Sequence, residues 1–335
     1  MLAEWDLGNE PEGWMRNFNM SVSVVELARD FRRLRDELGS APAIWGPDYG
    51  IQGCVTKGYP CKDYDELIEL LESKPGLRNA STWHYYNLGA NGSPPDDTAS
   101  EFILPHVLDR SRMVIATAVA ANAAATNPSP VWLGEGATAS GGGIVNASGT
   151  ATFIWIDKLG ATARWGGSGL MRQSLFGGRY ALLDPVTFVP RPTYWVALLA
   201  LSPVVLAVDG DQAANRTVRL YARCGQSRCS SLEPTLARVL LAFSSILHSN
   251  RLHARTLYSL GSSTLQLNGA PLTRAPDGSV PTFVGKKVNR GRRSSCQHFL
   301  PFSRCSLRLS WPLQPATGPC SLSVRMKLKV VKPTK

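Results

Sequence analysis

Residues 286–335 contain no aspartate or glutamate, against twelve lysines and arginines. The rest of the chain, residues 1–285, holds 24 basic and 25 acidic groups, a net of −1. The overall formal charge of +11 therefore belongs to the tail. It gives no basis for a nucleic-acid-binding body, and no nucleic-acid partner is expected. The seven cysteines (Cys54, Cys61, Cys224, Cys229, Cys296, Cys305 and Cys320) form no CxxC pair, and no Cys/His cluster has zinc spacing. A structural zinc site is thereby excluded, and neither a metal nor a cofactor is expected. The odd count leaves at least one thiol unpaired within the chain. A membrane span needs roughly 20 apolar residues. The run Val196–Val208 is shorter and is broken at Ser202 and Pro203, so no transmembrane segment is expected. No basic and apolar leader opens the chain, because Glu4 and Asp6 stand where it would be.

Five N-glycosylation sequons are present, at Asn19, Asn79, Asn91, Asn146 and Asn215. Five lean towards the secretory pathway, where one or two would carry no weight. Sequons without a signal peptide imply a true N-terminus upstream of Met1. The length of 335 residues suffices for two domains or one large one.

Strand and helix signals alternate over residues 1–205. Residues 1–9 read as a strand end running into a loop. Ser21–Leu38 places Val24, Leu27, Phe31, Leu34 and Leu38 at helical spacing, with Gly39 as the stop. Ala43–Trp45 reads as a short strand followed by the loop Gly46–Gly50, and Asp63–Leu71 as a helix. A strand at Ser81–Tyr86, a helix at Phe102–Ala125 and a strand at Val131–Leu133 follow. Helices at Thr150–Ala163 and Thr193–Leu201 flank a strand at Leu170–Leu175. This alternation predicts a parallel α/β architecture. From about residue 206 short alternating segments, such as Thr217–Tyr221 and Thr264–Leu267, sit between turns such as Asn268-Gly269. They predict an antiparallel β domain over 206–288. Residues 289–335 are expected to be disordered or frameshifted.

Two glutamates end short strands: Leu7-Gly8-Asn9-Glu10-Pro11 and Val131-Trp132-Leu133-Gly134-Glu135-Gly136. In a (β/α) barrel, catalytic groups sit at the C-terminal ends of strands. Two carboxylates from different strands there are what retaining glycoside hydrolysis needs: an acid/base and a nucleophile about 5–5.5 Å apart. Asn9 is placed to hold the sugar 2-hydroxyl. A single loop glutamate is more often a solvated surface charge; the pairing is what carries weight. Glu10 must be protonated to act as the acid, so its pKa is expected to be raised by Glu135 and by burial.

The segment Trp5-Asp6-Leu7-Gly8-Asn9-Glu10-Pro11 resembles the acid/base motif of the heparanase family of retaining glycoside hydrolases. Val131–Glu135 followed by Ser140-Gly141-Gly142-Gly143 resembles its nucleophile segment. Further matches keep the same order: Gly46-Pro47-Asp48, Thr82-Trp83-His84-Tyr85-Tyr86, Asp157-Lys158-Leu159-Gly160, Met171-Arg172-Gln173 and Tyr194-Trp195. The resemblance implies a (β/α)8 barrel of the TIM type, here strands four to eight, followed by an incomplete antiparallel β-sandwich. It implies an endo-β-glucuronidase acting on heparan sulfate proteoglycan, secreted to the matrix, lysosomal or membrane-associated. Glu10 would be the acid/base and Glu135 the nucleophile. His84, Tyr86, Gln173 and Tyr180 would line the cleft, the amides of Gly141 and Gly142 would hold the uronic carboxylate, and Arg16 would meet sulfate. The family's first sandwich strand is bridged to its chain end, which would make Cys224 one half of a disulfide.

Departures from the pattern bear on substrate and activity. Ile51–Lys57 is nearly neutral where the family is basic, and Ser140 replaces a tyrosine. With five of eight strands the sheet would not close, and its edges would be exposed. The chain is therefore expected to be an inactive fragment, missing N-terminal strands that complete the barrel. A non-catalytic heparan-sulfate-binding relative is the alternative.

Overall fold

A computed structural model describes residues 4–88, 104–140, 149–177, 181–200, 204–209, 218–224, 238–243, 263–267, 270–281, 305–313 and 320–330. Its first part is built from β1 (Glu4–Asp6), α1 (Trp14–Phe18), α2 (Val24–Leu38), β2 (Ala43–Gly50), α3 (Gln52–Lys57) and α4 (Lys62–Glu72). It continues with β3 (Ala80–Leu88), α5 (Pro105–Ala124), β4 (Val131–Ala139), α6 (Gly149–Arg164), β5 (Gly169–Arg172) and α7 (Pro192–Ala200). The five strands pair in sequence order, each parallel to the next. A parallel sheet whose strands are joined by helical crossovers is half of a (β/α)8 barrel.

The helices pack against one face of this sheet. Leu27, Ala28 and Phe31 of α2 meet Ile44 of β2 and Leu67 and Leu71 of α4. Tyr64 and Ile68 of α4 and Val114, Ile115 and Ala118 of α5 meet Trp83, Tyr85, Val131 and Leu133 from β3 and β4. Because side chains alternate across a strand, Thr82, His84 and Tyr86 turn to the opposite face, the one a barrel would enclose.

Local chemistry explains the helix boundaries. Ser23 caps α2, its side chain accepting from Glu26 N at 3.2 Å while Glu26 Oε2 accepts from Ser23 N at 2.9 Å. This reciprocal cap contributes about 1 kcal/mol. On α5 the buried residues Val107, Leu108, Ser111, Val114, Ile115, Ala118 and Asn122 recur every three or four positions, as a one-sided helix requires. Lys158 of α6 is fully buried and donates to the carbonyls of Tyr85 (2.9 Å) and Ala137 (2.6 Å). It thus ties β3 to β4, and burial pushes its pKa well below the usual lysine range.

Several elements differ from expectation. Gly46–Gly50, read as a loop, continues β2, and β4 runs on through Glu135 to Ala139. Gly, Pro and Asp signal turns, but a bulge accommodates them inside a strand. The short helix α3 was not expected, nor was the disulfide between Cys54 and Cys61, whose Cα atoms lie 5.4 Å apart. It staples the middle of α3 to the residue that precedes α4.

Beyond residue 203 the strands β6 (Val204–Asp209), β7 (Val218–Cys224), β8 (Arg238–Phe243), β9 (Gln266–Leu267), β10 (Ala270–Pro271), β11 (Cys305–Leu313) and β12 (Cys320–Val330) follow. The antiparallel hairpin β9–β10 flanks Asn268-Gly269. A single antiparallel sheet has the order β11-β12-β6-β7-β8; a facing second layer, which a sandwich needs, is not present among the described residues. The tail expected to lack regular structure contributes β11 and β12. The sequence held a signal for this: Leu307, Leu309, Trp311 and Leu313, then Leu322, Val324, Met326, Leu328 and Val330, alternate with the period of a strand. No helix among the described residues is long and apolar enough to cross a membrane.

Candidate active site

Two bulges aim side chains at one point on the inner face. Between β2 and β3 the register passes from Gly46↔Ser81 to Tyr49↔Trp83, which inserts an extra residue at Pro47-Asp48. Between β3 and β4 it passes from Trp83↔Leu133 to His84↔Glu135, and Gly134 is the extra residue. Without that insertion Glu135 would share the helix-facing side with Leu133; the bulge turns it onto the face of His84. A Cβ on Gly134 would collide with Asp48 Oδ1 and stand 3.0 Å from Thr82 Cβ. Only glycine therefore lets the three strands converge.

Glu10 arrives from the turn after β1. Its backbone is left-handed (φ 48°, ψ 55°), a conformation that costs a side-chain-bearing residue roughly 1–2 kcal/mol. The turn is held by Glu10 N donating to the Asp48 carbonyl at 3.0 Å and by Trp14 Nε1 donating to the Asn9 carbonyl at 2.7 Å. Pro11 then opens a short 3-10 turn, a position at which it lacks only an N–H that would be unpaired anyway.

The side chains meet around His84, which is 3% exposed. Its Nδ1 lies 3.1 Å from Glu10 Oε1, and its Nε2 lies 3.2 Å from Asp48 Oδ1. The second contact is an ion pair rather than an aligned hydrogen bond, since Asp48 Oδ1 has no aligned donor. Tyr86 donates its hydroxyl to Glu135 Oε1. Single ligand atoms of Glu10, His84 and Glu135 all lie within 4.8 Å of one another. One carboxylate oxygen of Glu10 and one of Glu135 are therefore within 4.8 Å of each other. Three such groups also resemble a metal site, but both His84 nitrogens already face carboxylates, which leaves no lone pair for a metal.

Electrostatics correct one expectation. Glu10 is not raised: the hydrogen bond from His84 holds it below the usual carboxylate range, outweighing the burial that would raise it. Burial disfavours charge on His84, yet Asp48 and Glu10 at its two nitrogens prevail and hold the imidazolium up to about 10. Burial and the neighbouring Asp48 push Asp6 up to about 8. Asp6 is nonetheless exposed at the sheet edge, so water weakens the burial contribution and the contact with Asp48 is the part that counts. Asp48 is buried, which opposes its charge, but His84 and Asp6 together keep it ionised.

The remaining candidates are distributed unevenly. Tyr86 reaches Glu135 directly, whereas His84 lies behind Glu10 as its partner rather than at an open cleft surface. Gln173 follows β5, and its N–H donates to the Gly136 carbonyl, next to Glu135, at 3.2 Å. Arg16 is exposed on α1, close enough for its charge to help lower Glu10. Asn9 is exposed. Of the sequons, Asn19 is exposed at the C-terminal end of α1. The Asn79 side-chain carbonyl accepts from Ile44 N at 2.8 Å and Arg35 Nη2 at 3.1 Å. Gly141, Gly142, Tyr180, Asn91, Asn146 and Asn215 lie outside the described residues. Sequence reasoning gave no role to Asp48 or Asp6, although the Gly46-Pro47-Asp48 run was visible.

No family model matches the chain. Heparanase of Gallus gallus is 34% identical over 232 residues, 67% of this chain and 43% of that protein. Human inactive heparanase-2 is 26% identical over 323 residues, 86% of this chain and 52% of that protein. The chain spans less than half the length of the heparanases it matches. Among solved structures, a bifunctional glucanase-xylanase from a metagenome library superposes with a TM-score of 0.51 at 12% identity, covering 98% of this chain and 64% of that one. That likeness concerns the fold.

Proposed function

Because the chain belongs to the heparanase family, we propose that it carries the catalytic pair of a retaining endo-β-glucuronidase acting on heparan sulfate. The observation that carries this reading is the close approach of the Glu10 and Glu135 carboxyls, whose nearest ligand atoms lie within 4.8 Å. Inverting enzymes hold their carboxyls about 6.5–9.5 Å apart to admit a water, and retaining enzymes about 5–5.5 Å. Glu135, steadied by the Tyr86 hydroxyl, attacks the anomeric carbon. Glu10 protonates the departing oxygen and then, as a base, activates the water that releases the sugar. Asn9 bonds the 2-hydroxyl, Gly141 and Gly142 receive the uronic carboxylate, and Gln173 and Tyr180 border the saccharide. Arg16 meets a sulfate. Five sequons and the Cys54–Cys61 bridge support a secreted or lysosomal setting.

The kinship with an inactive heparanase-2 keeps a non-catalytic heparan-sulfate binder as a second reading. The two separate in one experiment, run on this chain and on a product extended to the length of its relatives. A fluorogenic aryl glucuronide is supplied to wild type, Glu135→Gln and Glu10→Ala. The catalytic reading expects Glu135→Gln to abolish turnover. It expects Glu10→Ala to keep more activity on the aryl glucuronide, whose leaving group needs little protonation, than on heparan sulfate. Retention of heparan sulfate on an affinity column, with no turnover in any product, establishes the binder instead.

A further inference from the structure

Resting on the assignment of Glu10 as acid/base, we propose that Asp48 is its positioning residue. The Asp48 main-chain carbonyl fixes the turn that carries Glu10, and its carboxylate, acting through His84, decides where the proton shared with Glu10 resides. The two halves are independent observations. Glu10 N donates to the Asp48 carbonyl at 3.0 Å. Asp48 Oδ1 lies 3.2 Å from His84 Nε2, while the other ring nitrogen lies 3.1 Å from Glu10.

Asp48 is itself built into place. It sits in the β2 bulge with a left-handed backbone (φ 49°), and its N–H donates to Thr82 Oγ1 at 3.1 Å. The space for its carboxylate exists because residue 134 has no Cβ. A solvated surface aspartate has no need of a bulge, a strained backbone and a glycine opposite.

The groups facing His84 are Glu10 from the turn after β1, Asp48 from β2 and Glu135 from β4; Asp6 and Glu12 are close enough to interact with it or with its partners. All are carboxyls. With Asp48 ionised, His84 carries a proton on each nitrogen and donates to Glu10, leaving Glu10 ionised. Without that anion the Nδ1 proton passes to Glu10, and the imidazole keeps only its Nε2 proton. Nδ1 then offers a lone pair, and the protonated Glu10 donates to it.

The test is Asp48→Asn in the full chain, with histidine-labelled NMR following the His84 imidazole from pH 5 to 11. Loss of an adjacent opposite charge moves a midpoint by about 1–3 pH units, so the His84 midpoint should fall by that much. The alkaline limb of kcat/KM on heparan sulfate, whose leaving oxygen needs the proton, should move up, because Glu10 stays protonated longer. If Asp48→Asn fails to fold, Asp48→Ser removes the same charge with a smaller side chain, and it should lower the His84 midpoint too. An unshifted midpoint in the folded variant overturns the proposal, as does lost activity with an unchanged pH profile. If no product hydrolyses glucuronides, the catalytic assignment fails, while the His84 midpoint still decides the role of Asp48.

Discussion

Replacing Arg78 by methionine should be among the most damaging single changes in the half-barrel. The Arg78 side chain is fully buried. Nη2 pairs with the Glu72 carboxylate, itself 5% exposed, and Nη1 donates to the Gly46 carbonyl at the start of the β2 bulge. Glu72 also accepts from Ser129 Oγ at 2.6 Å. Methionine matches the stem but offers no donor, so a carboxylate is left in the interior with one hydroxyl for company. Removing one member of a buried ion pair costs about 3–5 kcal/mol, because the remaining charge keeps its desolvation penalty. That is a large share of the 5–15 kcal/mol typical of a folded domain. In urea, with a slope of about 2–3 kcal/mol per molar, the unfolding midpoint should fall by on the order of 1–2 M. The double variant Glu72→Leu, Arg78→Met removes both charges and should recover at least half of the loss. Urea titrations followed by tryptophan fluorescence measure all three proteins. A loss under about 1 kcal/mol for Arg78→Met, or a double variant weaker than the single one, would refute the reasoning.

Tyr86→Phe deprives Glu135 of a charge-assisted hydrogen bond worth about 1.5–3 kcal/mol, so kcat/KM on an aryl glucuronide should fall roughly 10- to 100-fold; an unchanged value removes Tyr86 from the mechanism. His84 is raised from 6.5 to about 10, so its contribution to stability is complete below pH 6.5 and disappears as pH rises through 10, with an upper bound on the order of 5 kcal/mol. Asp6 and Glu12, raised to about 8 and about 7, also lose stability as pH rises. The informative quantity is therefore the difference between wild type and His84→Gln in urea midpoints at pH 6 and pH 10; identical slopes would contradict the ion pairs drawn for His84. Opening the Cys54–Cys61 bridge by Cys54→Ser should cost about 2.5 kcal/mol by loop entropy alone, read as a lowered melting temperature, and a variant as stable as wild type would show the bridge to be without effect.

Much was legible in the chain because local chemistry and periodicity are local properties. Helical spacing from Val24 to Leu38 required a buried stripe, and Gly39 marked where it stops. Alternating strand and helix signals required a parallel sheet with helical crossovers, and two glutamates at strand ends placed them on one rim of it. What lay beyond local reading was register. Gly46-Pro47-Asp48 and Leu133-Gly134-Glu135 look like strand ends followed by loops, since turn formers signal turns in isolation. A bulge exists only relative to the neighbouring strand, so nothing in either segment announces that one residue is left over. That extra residue turns Asp48 and Glu135 onto the face of His84, and from it follow the pairing with Glu10 and the reversal of its expected pKa shift. Residue types and their order were the sequence's to determine. Which carboxylates share a histidine was settled only in three dimensions, because electrostatic coupling depends on distances of a few ångströms between residues more than thirty positions apart.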